Sequence, residues 1–146
     1  MVFLLADQRV DPSTKDNKPI IEASENGDTD TVALLLTDTR VDPGARDNDP
    51  IIRASALGHA ETVALLLRDP RVDPTADNNC AMRGASTSGH IETLKVLLND
   101  PRVDPSALHY EAVYMAHQEG HTEIVRMLLD DPRVDAGVAS ALAILD

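Results

Sequence analysis

Apolar residues occur along this chain in short bursts separated by aspartate-rich polar stretches, and the bursts alternate between two kinds. One kind is brief and in two units opens on a proline, as in Pro19-Ile20-Ile21-Glu22-Ala23-Ser24 and Pro50-Ile51-Ile52-Arg53-Ala54-Ser55. The other has helical spacing, as in Glu61-Thr62-Val63-Ala64-Leu65-Leu66-Leu67 and Glu92-Thr93-Leu94-Lys95-Val96-Leu97-Leu98, with an acid in the first turn opposing the helix dipole. A glycine separates the two kinds at positions 27, 58, 89 and 120, where a left-handed conformation can close a helix. The pattern predicts pairs of short helices turning at a glycine corner. The second helix of most pairs runs into Asp-Pro, and the residue before a proline avoids helical geometry.

The pairs repeat with one period. Arg-Val-Asp-Pro begins at residues 9, 40, 71 and 102, and Arg-Val-Asp-Ala at 133, a spacing of 31 throughout. The chain therefore reads as a single domain over 1–146: a partial repeat 1–8, repeats 9–39, 40–70, 71–101 and 102–132, and a partial repeat 133–146. Helices this short are marginal alone, so each unit must bury its apolar faces on its neighbours. The expected fold is all-α, a helical-repeat solenoid of paired antiparallel helices. Phe3 to Gln8 match Leu34 to Thr39, and Ala141 to Leu145 match the opening of a first helix. The array is expected either to continue beyond both ends or to use these half-helices as caps.

Composition narrows the function. The net charge is -12, and a field of that sign repels phosphate backbones and anionic membrane surfaces. No nucleic acid or membrane partner is expected. The apolar residues are almost wholly Ala, Val, Ile and Leu, with Phe3, Tyr110 and Tyr114 the aromatics, which predicts a thin, closely packed core. Cys80 is the single cysteine, so an internal disulfide is excluded and a reducing, intracellular location is expected.

No pattern in the chain carries catalysis. His59, His90 and His121 recur in similar surroundings, but equivalent positions in stacked helices lie about 8–10 Å apart, whereas zinc ligands must converge to about 2 Å from one ion. Each is read as capping its second helix or buttressing the corner, with Asp28 in that place in the first unit. Arg9, Arg40, Arg71, Arg102 and Arg133 form a ladder, each with an aspartate two residues before and after. That arrangement reads as a structural ion-pair network; anion recognition would require free arginines. Asp47-Asn48-Asp49 and Asp77-Asn78-Asn79 lack the register of a calcium loop and read as turns. Cys80 replaces Lys18, Asp49 and Glu111 of the other units, which suits a surface thiol better than a nucleophile. No enzyme activity, metal or cofactor is expected.

The block from Pro50 to Leu67, with Gly58-His59-Ala60-Glu61 at its centre and Gly-His-x-Glu again at 89–92 and 120–123, resembles the ankyrin repeat. Tetratricopeptide-like helical pairs are the alternative, but their helices are longer and their loops lack the tetrad. The period is 31 against about 33 in that family, which predicts clipped fingers. The family's Thr-Pro-Leu-His opening is absent, with Ile21, Ile52, Arg83 and Tyr114 where its histidine would stand, so the Asp and Asn of the preceding loop must supply the missing hydrogen bonds. The resemblance implies a protein-protein interaction module of unknown partner, monomeric unless its exposed ends self-associate. It also allows two other readings, a host-directed effector of a pathogen or the targeting domain of a larger enzyme-containing chain.

By the same resemblance, binding falls on loop tips and the exposed face of the first helices. Carried onto this sequence, those positions are Lys18, Glu22, Glu25 and Asn26; Asp49, Arg53 and Leu57; Asn79, Thr87 and Ser88; and His109, Tyr110, Met115, Gln118 and Glu119. The fourth unit departs most, placing Leu108, Tyr110, Tyr114 and Met115 where the others are largely polar. Tyrosine is enriched among interface hot spots. The same residues would also serve to seal the end of the stack.

Overall fold

The computed structural model describes Asp7 and residues 9–145, with side chains through Leu142. The match of Phe3 to Gln8 with a second helix thus lies, Asp7 apart, outside the described residues. Among these residues are nine helices and no strand. First helices are α1 (Thr14–Glu25), α3 (Ala45–Ala56), α5 (Ala76–Thr87) and α7 (Ala107–Gln118); second helices are α2 (Thr29–Leu36), α4 (Ala60–Leu67), α6 (Ile91–Leu98) and α8 (Thr122–Leu129); α9 is Ala136–Leu145. Each first helix packs on the second helix of its own unit, the four first helices pack on one another in series more closely than the second helices do, and α9 packs on α8. No helix among the described residues is long and apolar enough to cross a membrane.

The core is one ribbon of small aliphatics. Ile20, Ile51, Met82 and Val113 follow one another at a fixed position of the first helices, all with 0% exposure. Val32, Val63 and Leu94 do the same in the second helices. In place of projecting fingers the tetrad makes a tight turn, closed by Val41 N–H on the Asp38 carbonyl at 3.1 Å and repeated at Val72, Val103 and Val134. The clipped period therefore leaves no hairpin among the described residues.

Each first helix opens with an unusual turn. Lys15, Asp16 and Asn17 are left-handed (φ 53, 59 and 60°), and right-handed helix begins only after them. The turn recurs at Arg46-Asp47-Asn48, Asp77-Asn78-Asn79 and Leu108-His109-Tyr110. Left-handed geometry disfavours most L-residues, and Asn and Asp tolerate it best. In the first three units Asn occupies the third place, and its side-chain oxygen reaches the next unit. Asn17 Oδ1 accepts from Asp42 N–H at 2.7 Å, Asn48 from Asp73 at 2.7 Å and Asn79 from Asp104 at 2.8 Å. This is the loop-supplied hydrogen bonding that replaces the missing Thr and His.

Two expectations need correction. Of the two roles expected at the corner, capping is made by Asp28 alone, which accepts from Thr31 N–H, while the histidines do not cap their helices but buttress the corner of the preceding unit. The last helix begins at Ala136, five residues before the expected Ala141. Residues 139–141 carry no positive φ and no asparagine, so the left-handed turn is missing and the helix starts directly after the tetrad. Val138 and Leu142 of that helix enter the core.

Candidate interaction surface

The arginine ladder is structural. Arg40 grips Asp38 with Nε (2.9 Å) and Nη2 (2.6 Å), while Nη1 donates to the Val10 carbonyl of the preceding unit at 3.0 Å. Arg71, Arg102 and Arg133 repeat both contacts, on Asp69, Asp100 and Asp131 and on the carbonyls of Val41, Val72 and Val103. Two-pronged guanidinium–carboxylate pairs of this kind are strong and directional. Their side-chain hydrogen bonds hold the four aspartates below the ordinary carboxyl value, Asp38 to about 2. The aspartates that follow, such as Asp42 and Asp73, accept instead from the backbone two residues on. These contacts occupy the guanidinium forks that anion recognition would need.

The histidines are tied as firmly. Nε2 of His59, His90 and His121 lies 2.9–3.0 Å from the carbonyls of Glu25, Ala56 and Thr87, each in the preceding unit. A carbonyl only accepts, so Nε2 carries the proton. Among the described residues no three His, Cys, Asp or Glu side chains are grouped to hold a metal ion. Cys80 is half-buried, and burial pushes its thiol above the usual value, which suppresses the nucleophilic thiolate.

The exposed face of the first helices changes character along the stack. At its start it is a band of ion pairs. Lys18 pairs with Glu22, and Arg53 bridges Asp49 of its own helix and Glu25 of the preceding one at 2.9 Å each. Asn26, Leu57, Ser88 and Glu119 form an exposed column at the helix ends, in which Leu57 is 51% exposed. Thr87 is half-buried and Gln118 exposed. Asn79 does not belong to this surface. It is 6% exposed, and its side-chain oxygen is committed to Asp104.

The loop tips diverge in the same direction. In the first two units they are linked by Arg46 on Asp16 at 3.0 Å. In the third, Arg83 binds the carbonyls of Asp77 and Asn78 at 3.1 Å each and pairs with Glu111 of the next unit. Sequence reasoning missed this staple, although Arg83 is the one charge in a column otherwise holding Ile21, Ile52 and Tyr114. The fourth tip has Leu108 48% exposed, His109 exposed, and Tyr110 and Met115 half-buried. Tyr110 and Tyr114 lean on the core. All three residues of this left-handed turn (φ 52, 57 and 65°) lack the amide or carboxylate that eases it elsewhere.

No curated protein sequence matches the chain. The family pattern of ankyrin repeats, three copies long, matches residues 51–140. Helix pairs and close stacking of the first helices continue through the units on either side of that match's start. With more than half its length matched and its helices stacked in pairs, the chain belongs to the ankyrin repeat family.

Proposed function

We propose that the whole chain works as one repeat domain that binds a partner protein through the loop tips and the exposed face of its first helices, with the fourth unit as the centre of the contact. The observation that carries this reading is the left-handed turn Leu108-His109-Tyr110. The first place of this turn is also bulky in two other units (Lys15, Arg46). Only here do the second and third places, Asp or Asn in the other three units, hold bulky residues, and left-handed geometry costs such residues about 1–2 kcal/mol each. Strain of this kind persists where function requires it. It puts an exposed Leu108 and a half-buried Tyr110 at one loop tip, giving an apolar, aromatic anchor in a surface that, Leu57 apart, is largely ion-paired or polar. Ankyrin repeats generally serve protein-protein interaction, and a protein partner fits both the family and this surface. A single half-buried cysteine is compatible with a reducing, intracellular setting.

The test is partner capture from cell extract by wild-type chain, by Tyr110→Ala/Met115→Ala, and by Glu61→Ala/Glu92→Ala on the second helices. Loss with the first variant and retention with the second is expected. Equal recovery by all three would move the contact off the fourth unit.

A further inference from the structure

Asn26-Gly27 is the one Asn-Gly step in the chain. It forms the first glycine corner, where Asn26 is exposed. An asparagine before glycine is open to attack by the following peptide nitrogen, because no β-carbon shields that nitrogen. The equivalent pairs are Leu57-Gly58, Ser88-Gly89 and Glu119-Gly120, none of which carries an amide side chain. In the closed corner the attack is held off. Asn26 has helical geometry with ψ -6°, so the Gly27 nitrogen eclipses the Asn26 nitrogen and is turned away from the side chain. Gly27 N–H is donated to the Ser24 carbonyl at 3.2 Å, and Asp28 N–H closes the corner on the Ala23 carbonyl at 2.9 Å. His59 of the next unit clamps this arrangement from outside. Its ring lies so near Gly27 that a β-carbon there would stand 2.5 Å from Nδ1, and its Nε2–H donates to the Glu25 carbonyl at 2.9 Å. His59 thus grips the residues on either side of Asn26.

We propose that Asn26 is a site of spontaneous deamidation, reached when the first corner opens and gated by His59. Interfaces of a repeat stack open locally, each with its own free energy, so this corner opens without unfolding of the remaining units. In the opened corner the Gly27 nitrogen attacks Asn26 Cγ and forms a bond to it. The Cγ–Nδ2 bond breaks, and the amide leaves as ammonia with the proton that the peptide nitrogen sheds. Water then opens the resulting succinimide. Addition at Cγ gives aspartate, and addition at the main-chain carbonyl gives isoaspartate, whose backbone runs through the side chain and is longer by one methylene. The two products act differently on the corner. A carboxylate in this column already stands at Glu119, so aspartate is tolerated. Isoaspartate lengthens the chain between the Glu25 carbonyl and Gly27, which His59 holds at the same time, and one of those contacts is lost.

The test is incubation of the full chain at mildly alkaline pH, with amide-to-carboxyl conversion followed at each asparagine by peptide mass spectrometry. Wild-type chain is expected to convert at Asn26 before any other asparagine. His59→Ala should convert about three- to tenfold faster, the size of one net hydrogen bond removed from the closed corner. His90→Ala removes the same clamp one corner further on, at a similar cost to the stack, and should leave the Asn26 rate at the wild-type value. Asn26→Asp should melt with fresh wild type, whereas aged wild type rich in isoaspartate should melt lower. Conversion in urea-unfolded chain but none in folded chain, or equal acceleration by His59→Ala and His90→Ala, would overturn the proposal.

Discussion

Asn48 meets two demands at once. Its backbone is left-handed (φ 66°), and its amide oxygen accepts from Asp73 N–H of the following unit. Asn48→Ala loses both, and a fall in stability of about 1–3 kcal/mol is expected by urea unfolding. Asn48→Gly keeps the backbone tolerance and should fall less; its remaining loss against wild type reports the hydrogen bond, and the gap between the two variants reports the left-handed backbone. Ser55 shows the opposite case. Its hydroxyl is fully buried without a partner, so Ser55→Ala should leave stability unchanged or raise it by up to about 1 kcal/mol; a clear loss would show that the hydroxyl is bonded in solution. The ladder aspartates set the acid response. Their carboxyls are held low in the folded chain, so the unfolded chain takes up protons first as pH falls. Their stabilisation is complete above about pH 4 and is lost as pH falls toward about 2, the value reached by Asp38. Denaturant titrations across that window should show the decline. The arginine–aspartate pairing was legible from spacing alone. The handedness of the Asn turn was not, because Asn and Asp mark turns of many kinds, and Asn79 was therefore placed on the surface.

At the scale of elements, the helix pairs and their glycine corners follow directly from the apolar spacing. What the corner does beyond turning the chain depends on the neighbouring unit, and a one-dimensional pattern does not show which side chain lands on which glycine. Gly58 has φ 80° and lies under His90; Gly120 has φ 77° and open space. Alanine at either site meets the backbone penalty of about 1–2 kcal/mol, but Gly58→Ala must also displace an imidazole. Gly58→Ala is expected to lower the melting temperature more than Gly120→Ala, and equal losses would show that the histidine packing contributes nothing. The start of α9 was misread for a related reason. The 31-residue register placed the opening of a first helix at Ala141, yet Ala139, Ser140 and Ala141, which stand where the other units have their left-handed turn, have no preference for that geometry and continue as helix.

On the scale of the whole molecule, the exact period and the Gly-His-x-Glu corners were enough to read an ankyrin-type stack, and the family match over residues 51–140 agrees. The candidate surface was legible only in part. Variable positions can be read off aligned units, but Glu25, Asp49 and Arg53 turned out to satisfy one another, and only coordinates show which variable residues are so engaged. What stands out is the fourth tip, strained and apolar in a chain whose other tips are eased by amides and carboxylates. The most direct measurement transplants the third tip onto the fourth, as Leu108→Asp/His109→Asn/Tyr110→Asn, and compares captured partner with wild type beside a thermal melt of each. The account predicts that the graft melts higher, because Asn and Asp ease the left-handed turn, and recovers less than about a tenth of the partner, a loss of about 1.4 kcal/mol or more. A graft that melts higher and captures the partner as well as wild type would contradict it.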